Sequence, residues 1–246
     1  MLRILTYNVH RCLGSDRRID VDRIADVIAA RAPDIVVLQE VDVGRARTGG
    51  VDQAHKLAQR LGMTSRFNAA LTVEEELYGD AILTALPERL VKAGPLPGYA
   101  PIPQLETRGA LWVAITLAGG VELQVINTHL GLVPREQQIQ ATALAGKAWL
   151  GDEAAKDPLI LLGDFNATAR TVAYRTLTRR LKDARALLPG RRRRLATFPA
   201  SMPMLRIDHV FVSGGVKVTR MAAPSDPIAR VASDHLPLIV DFEVGG

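Results

Sequence analysis

The stretch LILLGDFNA, residues 159–167, sets the reading of the whole chain. Leu159 to Leu162 are all aliphatic, and Gly163 and Asp164 close the run. A short, wholly apolar segment of this kind reads as a strand buried on both faces, because a half-exposed strand would alternate apolar with polar. An acid and an amide, Asp164 and Asn166, come directly after it. Taken alone, such a pair also fits a plain Asx turn. What decides between turn and site is whether the pattern recurs.

It does recur. Leu2–Asn8 is an apolar, β-prone strand that ends on Asn8, and Ile35–Leu38 is a second all-apolar strand followed by Gln39 and Glu40. The segments Ala110–Leu117 and Val121–Thr128 read as a hairpin around Ala118-Gly119-Gly120, and its second strand runs into Asn127, Thr128 and His129. Ile207–Val212 carries Asp208 and His209 within an apolar strand, Val216–Met221 is a further strand, and Ser233, Asp234 and His235 precede the last one, Leu236–Phe242. Ala81–Leu86 is also expected as a strand. Helices are expected over Asp20–Ala30, where Asp20 is the cap and Val21, Ile24, Ala25 and Ile28 have helical spacing, and over Asp52–Leu61, Pro134–Leu150 and Val172–Leu181. Polar clusters at so many strand ends point to a site, since ligands in α/β sheets bind where strand ends gather.

The 246 residues suit a single α/β domain over 1–246, with no linker or internal repeat to divide them. A net charge of +5 favours an anionic partner such as nucleic acid, a phosphorylated metabolite or a lipid headgroup. The lone cysteine, Cys12, rules out an intrachain disulfide and a cysteine-based zinc cluster, and reads as an inert thiol. No apolar run approaches the ~20 residues that span a bilayer, so stable membrane insertion is not expected. The opening MLRILTY turns polar too soon for a signal peptide, and a cytoplasmic protein is the default expectation; an exported chain with its signal removed would look similar.

The polar clusters sort by chemistry. Glu40, Asp164, Asp208 and Asp234 are hard oxygen donors, and Asn8 and Asn166 are neutral ones. Such a set suits Mg2+ or Mn2+, while no local HExxH-type spacing argues for zinc. Hydrolysis of a phosphate ester needs an activated water, stabilised non-bridging oxygens and a stabilised leaving oxygen. A carboxylate–histidine pair, a metal carboxylate and nearby amide or guanidinium donors meet all three needs.

The strings TYNVH (6–10), LQE (38–40), ETRGAL (106–111), NTHLG (127–131), LLGDFNA (161–167), RIDHVFVS (206–213) and SDHLPL (233–238) resemble, in order and over nearly the entire chain, the endonuclease/exonuclease/phosphatase superfamily. The resemblance implies a four-layer α/β/β/α sandwich of two packed, mainly antiparallel sheets, as in DNase I, with the site between the sheets at one edge. It implies that Glu40 is the principal metal ligand, Asn8 its neighbour at the metal or phosphate, and Asp234 a residue near the metal. It further implies that Asp164 orients or deprotonates the attacking water, that Asp208 and His235 form the dyad, and that Asn166, His129 and Arg108 contact phosphate.

Departures from the family pattern narrow the branch. AP endonucleases tend to carry an acid two positions after the asparagine, where this chain has His10; 5-phosphatases carry Cys-Asp-Arg near the dyad aspartate, where it has Leu205-Arg206-Ile207-Asp208. DNase I-like members place an acid near the second histidine, for which Asp80 is the candidate. The irregular segments Ala93–Leu105 and Pro189–Pro203 are loop candidates, the second carrying the basic run Arg191–Arg194. Phe198 and Tyr174 are the nearest aromatics to that run, too few for a single-strand stacking platform. The expected activity is divalent-metal-dependent phosphodiester hydrolysis on nucleic acid, a phospholipid headgroup or a small phosphoester. The competing readings are a phosphomonoesterase and a non-catalytic phosphate-binding module. Oligomeric state is not legible in the sequence.

Overall fold

Each aliphatic strand divides its side chains between two hydrophobic clusters. In β1 (Leu2–Asn8), Ile4 joins one cluster and Leu5 and Tyr7 another; in β2 (Ile35–Val43), Ile35 and Val37 join the first, Val36 and Leu38 the second. The strand Leu159–Asp164 does the same, with Ile160 and Leu162 in the shared first cluster and Leu159 and Leu161 in a third. Successive strand residues point to opposite faces, so a strand buried on both sides must be apolar throughout. Each such side chain taken from water contributes about 1.5–3 kcal/mol.

The computed structural model describes residues 1–73, 76–188 and 195–245. The strands are β1, β2, β3 (Thr64–Val73), β4 (Glu76–Thr84), β5 (Glu88–Pro95), β6 (Gly109–Thr116), β7 (Glu122–His129), β8 (Leu159–Asp164), β9 (Lys182–Asp183), β10 (Asp208–Val212), β11 (Val216–Ala222) and β12 (Leu238–Val244). They form two six-stranded sheets, ordered β11-β12-β1-β2-β4-β3 and β5-β6-β7-β8-β10-β9. All named strand pairings are antiparallel except β1–β2 and β7–β8, the central pair of each sheet. The first cluster lies between the sheets. The second packs helices α1 (Val21–Ala29), α2 (Gln53–Leu61) and α5 (Pro227–Ala232) on one outer face, and the third packs α3 (Pro134–Ala145) and α4 (Val172–Leu177) on the other. The result is the expected four-layer α/β/β/α sandwich of two mainly antiparallel sheets.

Local sequence accounts for the punctuation. Asp20 accepts a hydrogen bond from Arg23 N at 2.8 Å and caps α1; Asp52 accepts from His55 N at 2.8 Å and caps α2. Gly119 and Gly120 take φ of 83° and 79° in the β6–β7 turn, the pair of positive angles a tight hairpin requires. A buried polar strut joins the sheets: Asn127 Nδ2 donates to the carbonyls of Leu38 (2.8 Å) and Ala81 (3.1 Å), and Gln39 Nε2 donates to Asn127 Oδ1 (2.8 Å).

Several boundaries differ from expectation. β2 runs on past Leu38 through Glu40 to Val43, and β4 begins at Glu76, not Ala81. α3 stops at Ala145 because Gly146 turns extended, and α4 stops at Leu177. β3, β5, β9 and α5 were not anticipated. β5 lies on a sheet edge with most of its side chains at least partly exposed, so it lacks the apolar run that marks a central strand. The basic run Arg191–Arg194 lies outside the described residues.

Candidate active site

The two parallel pairs deliver chain ends to a common edge. Asn8 at the end of β1 is in register with Gln39, one residue before Glu40, while His129 at the end of β7 is in register with Asp164, which also faces Asp208. Glu40 sits in a β-bulge between Leu38 and Val41 and takes φ of 58°. A non-glycine residue in this region costs about 1–3 kcal/mol, and such strain clusters at functional sites. Gly163 is obligatory: a Cβ there would lie 1.9 Å from Thr128 O. The turn beyond it is set by Asn166, at φ 48°, whose N–H donates to Asp164 Oδ1 at 2.8 Å.

His235 and Asp208 form a buried pair. His235 Nδ1 lies 2.9 Å from Asp208 Oδ2, which also accepts from the Thr197 hydroxyl. His235 Nε2 faces Asp164 Oδ2 at 3.5 Å. Burial works against charge on this imidazole, but Asp208 and Asp164 outweigh it and push its pKa up to about 10. Burial also raises Asp164, with Asp208 adding to it and His235 opposing, to about 7. The Asp208 carboxylate therefore holds a charged His235, whose Nε2–H is directed at Asp164. Phe198 closes over the pair, its ring 5.0 Å from the imidazole.

His129 has the opposite electrostatics. Burial, Arg108 and His235 hold its pKa well below the usual value, so it is neutral. Arg108 Nη1 lies 3.0 Å from its Nδ1, and the Asn166 side-chain amide, which also donates to Leu130 O, lies 3.1 Å from its Nε2. A neutral imidazole accepts at one nitrogen only, and arginine is always a donor. Arg108 and the Asn166 amide nitrogen are both donors, one at each ring nitrogen, so the ring accepts from only one of them; Nε2 also lies 3.5 Å from Asp164 Oδ2 and 4.0 Å from Glu40 Oε1.

Asn8 ties the carboxylates together. Its Nδ2 lies 3.0 Å from both Glu40 Oε1 and Asp164 Oδ2, and its Oδ1 accepts from His10 N–H. The amide's donor end thus faces the acids. Ser233 Oγ donates to Asn8 O at 2.8 Å and links the His235 loop to β1. Asp234 is half-exposed in the same cleft, 3.8 Å from His10 Nδ1. The cleft encloses about 740 Å³, and Glu40, Asp164, Asn166, Arg108, His129 and His235 all line it.

The donors fit a hard divalent cation. Asp164, Asp208 and His235 bring ligand atoms within 4.8 Å of one another, but Asp208 Oδ2 and His235 Nδ1 are spent on each other. Asp208 Oδ1 is buried without a hydrogen-bond partner among the described residues. Glu40 and Asp234 open onto the cleft with oxygens to spare, and oxygen-rich sets of this kind match Mg2+-type ions.

Every site residue expected from the sequence is therefore drawn into one region. Asp208 pairs with His235, while Arg206 pairs with Asp183 at 2.6 Å. Asp80, the candidate acid for the second histidine, makes no contact with His129 nitrogens. Arg108 has that place. Asp80 is buried with Oδ2 unpartnered, and burial pushes it up to about 8 against the pull of Arg108. Thr197 was missed, and Ser233 was read only as part of a polar cluster, without its contact. Their hydroxyls meet residues 11 and 225 positions away, and nothing in the local sequence signals this.

Comparison with known proteins gives the family and the fold. Residues 5–235 match the model of the Endonuclease/Exonuclease/phosphatase family. The chain is 26% identical over 253 residues to uncharacterized protein YbhP of Escherichia coli (strain K12), covering 98% of this chain and 96% of that one. In fold it resembles an endonuclease/exonuclease/phosphatase family protein from Bacteroides thetaiotaomicron (TM-score 0.80, 22% identity, 100% and 98% of the two chains). It also resembles the human nocturnin catalytic domain with bound sulfate (TM-score 0.75, 23% identity, 99% and 93%). The chain belongs to the endonuclease/exonuclease/phosphatase family, whose members are hydrolases acting on phosphate esters and are generally dependent on divalent metal.

Proposed function

We propose that the protein is a phosphodiesterase that uses Mg2+ or Mn2+. The observation that carries this reading is the convergence, in one cleft, of a charged His235–Asp208 pair, a raised Asp164 and a neutral N–H-bearing His129 beside the open carboxylate of Glu40. Glu40 and Asp234 would hold the cation, which supplies Lewis-acid stabilisation of phosphoryl and leaving-group oxygens.

The protein's own groups do the rest. Asp164, poised near neutral pH, accepts the proton of the attacking water, and the Nε2–H of His235 steadies the carboxylate during that transfer. Asp208 keeps His235 charged and oriented through Nδ1. His129, the Asn166 amide and the Arg108 guanidinium line the cleft as donors for the non-bridging oxygens. Asn8 Nδ2 holds Glu40 and Asp164 in fixed relation, leaving its oxygen engaged by His10 N–H.

Bis-p-nitrophenyl phosphate and p-nitrophenyl phosphate, each assayed with Mg2+, with Mn2+ and with EDTA, test the proposal. Metal-dependent, EDTA-sensitive cleavage of the diester is expected. Preference for the monoester moves the reading to a phosphatase, and turnover that survives EDTA overturns it.

A further inference from the structure

We infer that Arg11, presented to the cleft on a strained left-handed turn, contacts the substrate and that its guanidinium takes an anionic oxygen of the bound phosphoester. This rests on the phosphoesterase reading of the same cleft.

His10, Arg11 and Cys12 are three successive residues with positive φ, at 46°, 50° and 59°. A Cβ crowds the neighbouring carbonyl oxygen in this region, so side-chain-bearing residues visit it singly and runs are avoided. A run of three persists only where its surroundings over-determine it. They do so here. His10 N–H donates to Asn8 Oδ1 at 3.0 Å, and Cys12 N–H donates to Val9 O at 2.7 Å. The fully buried Gln53 donates from Nε2 to Arg11 O at 2.8 Å, while its Oε1 accepts from Asp42 N–H at 3.0 Å. Cys12 O accepts from Asp20 N–H at 2.9 Å, and the Cys12 side chain is buried in the second hydrophobic cluster. Both ends of the turn are therefore fixed. Cys12 is held in the core, and His10 is tied to the asparagine that links Glu40 and Asp164.

Arg11 stands between these anchors. It is partly exposed and lines the cleft. The turn lies on the Asp234 side, with His10 Nδ1 3.8 Å from Asp234 Oδ1. Among the described residues four arginines line this cleft, and three are engaged. Arg45 faces Glu76 at 3.3 Å, Arg47 grips Asp42 at 2.6 Å, and Arg108 lies 3.0 Å from the His129 ring. Arg11 makes no ion pair and no side-chain hydrogen bond with the described residues. The bonds that hold the turn use its backbone and the side chains of Asn8 and Gln53, so the Arg11 guanidinium has no part in shaping it. Backbone strain of this kind collects at ligand clamps. A planar fork of free N–H groups at a cleft wall matches two oxygens of a tetrahedral anion.

Calorimetric titration of the Mg2+-loaded protein with inorganic phosphate, which needs no turnover, tests the assignment, with thermal melts of the same variants alongside. Arg11→Gln should weaken phosphate binding by roughly tenfold or more, the scale of a lost hydrogen bond to a charged group. Its Tm should stay within about 2 °C of wild type. Arg11→Lys, which keeps the charge but loses the fork, should retain part of the affinity. Arg11→Gly should bind phosphate as weakly as Arg11→Gln, yet melt no lower than wild type, because glycine takes these angles without strain. The assignment is overturned if Arg11→Gln binds phosphate as tightly as wild type. It is also overturned if Arg11→Gly melts below wild type, since the side chain would then be a prop of the turn. Wild-type protein that binds no phosphate and cleaves no diester removes the phosphoesterase reading and Arg11 with it. Arg11-dependent phosphate binding without diester cleavage keeps Arg11 and removes only the catalytic reading, whereas diester cleavage with Arg11-independent binding does the reverse.

Discussion

Asn8, in one sheet, donates a 3.0 Å hydrogen bond to Asp164, in the other, across 156 residues of sequence. The same nitrogen lies 3.0 Å from Glu40 Oε1. A single neutral donor thus sets the spacing between the carboxylate assigned to the cation and the carboxylate assigned to the water. Asn8→Ala should leave the buried Asp164 and the cleft-facing Glu40 without their shared donor. The expected cost is about 1–3 kcal/mol of stability and a fall in kcat of roughly 10–100-fold, since misplacing reacting groups by about 1 Å carries a penalty of that order. Urea midpoints and steady-state kinetics on the diester check both. Unchanged kcat in Asn8→Ala would remove the residue from the machinery.

The Asp208–His235 pair makes a prediction in the alkaline range. Asp208 is the main influence holding the His235 pKa up at about 10, against the opposing effect of burial. The sign follows from linkage. A folded pKa above the unfolded one, about 6.5, contributes stability that is fully present below pH 6.5 and is lost as pH rises through 10. Asp208→Asn keeps the shape and removes the charge. The imidazole resonance of His235 should then titrate well below its wild-type position, the decline in stability above pH 6.5 should flatten, and kcat should drop by roughly 10²–10⁴. A His235 titration that does not move on substitution contradicts the assigned pairing.

His209 predicts the reverse behaviour in acid. It is fully buried, its Nε2–H donates to Ala167 O at 2.7 Å, and its ring stacks on Phe211. Burial lowers its pKa to about 4. Below pH 6.5 the unfolded chain takes up a proton that the folded chain refuses, so stability falls progressively from pH 6.5 to 4. The whole effect is of order 3 kcal/mol. Urea midpoints of wild type and His209→Gln at pH 7 and pH 4.5 isolate this contribution. The acid-induced loss should be smaller in the variant, and equal losses would show that His209 is not its source.

Two glycines separate backbone need from empty space. Gly163 takes φ of 144°, and a Cβ there would meet Thr128 O at 1.9 Å, so Gly163→Ala should cost about 3 kcal/mol or more and disturb the Asp164 turn. At Gly98 an added Cβ meets nothing within 4 Å, and Gly98→Ala should stay within about 0.5 kcal/mol. Thermal melts of the two variants side by side decide the matter.

Cation binding should be visible without substrate. Mg2+ at about 100 times its Kd adds about 2.7 kcal/mol to the folded state, roughly 5–10 °C in Tm for a chain of this size. Glu40→Gln should abolish the shift. An equal shift in that variant would move the cation to the other carboxylates of the cleft.

The aliphatic runs at Ile35–Leu38 and Leu159–Leu162 were legible as central strands because burial on both faces leaves no room for polar residues. Polar strings at strand ends marked Asn8, Glu40 and Asp164, and those within or before the last strands marked Asp208 and His235. Edge strands such as β5 were not legible, because a partly solvated edge imposes no strict alternation. What the sequence by itself determined is therefore the set of central strands, the family and the chemical types at the strand ends. Only the tertiary structure decided that Arg108, not Asp80, engages His129; that the Glu40 bulge turns its carboxylate into the cleft; and that Thr197 braces Asp208 while Ser233 ties the His235 loop to β1. The reason is physical: hydrophobic burial depends on periodicity along the chain, whereas a hydrogen bond depends on distances of tenths of an ångström and on direction, which exist only once two sheets have packed.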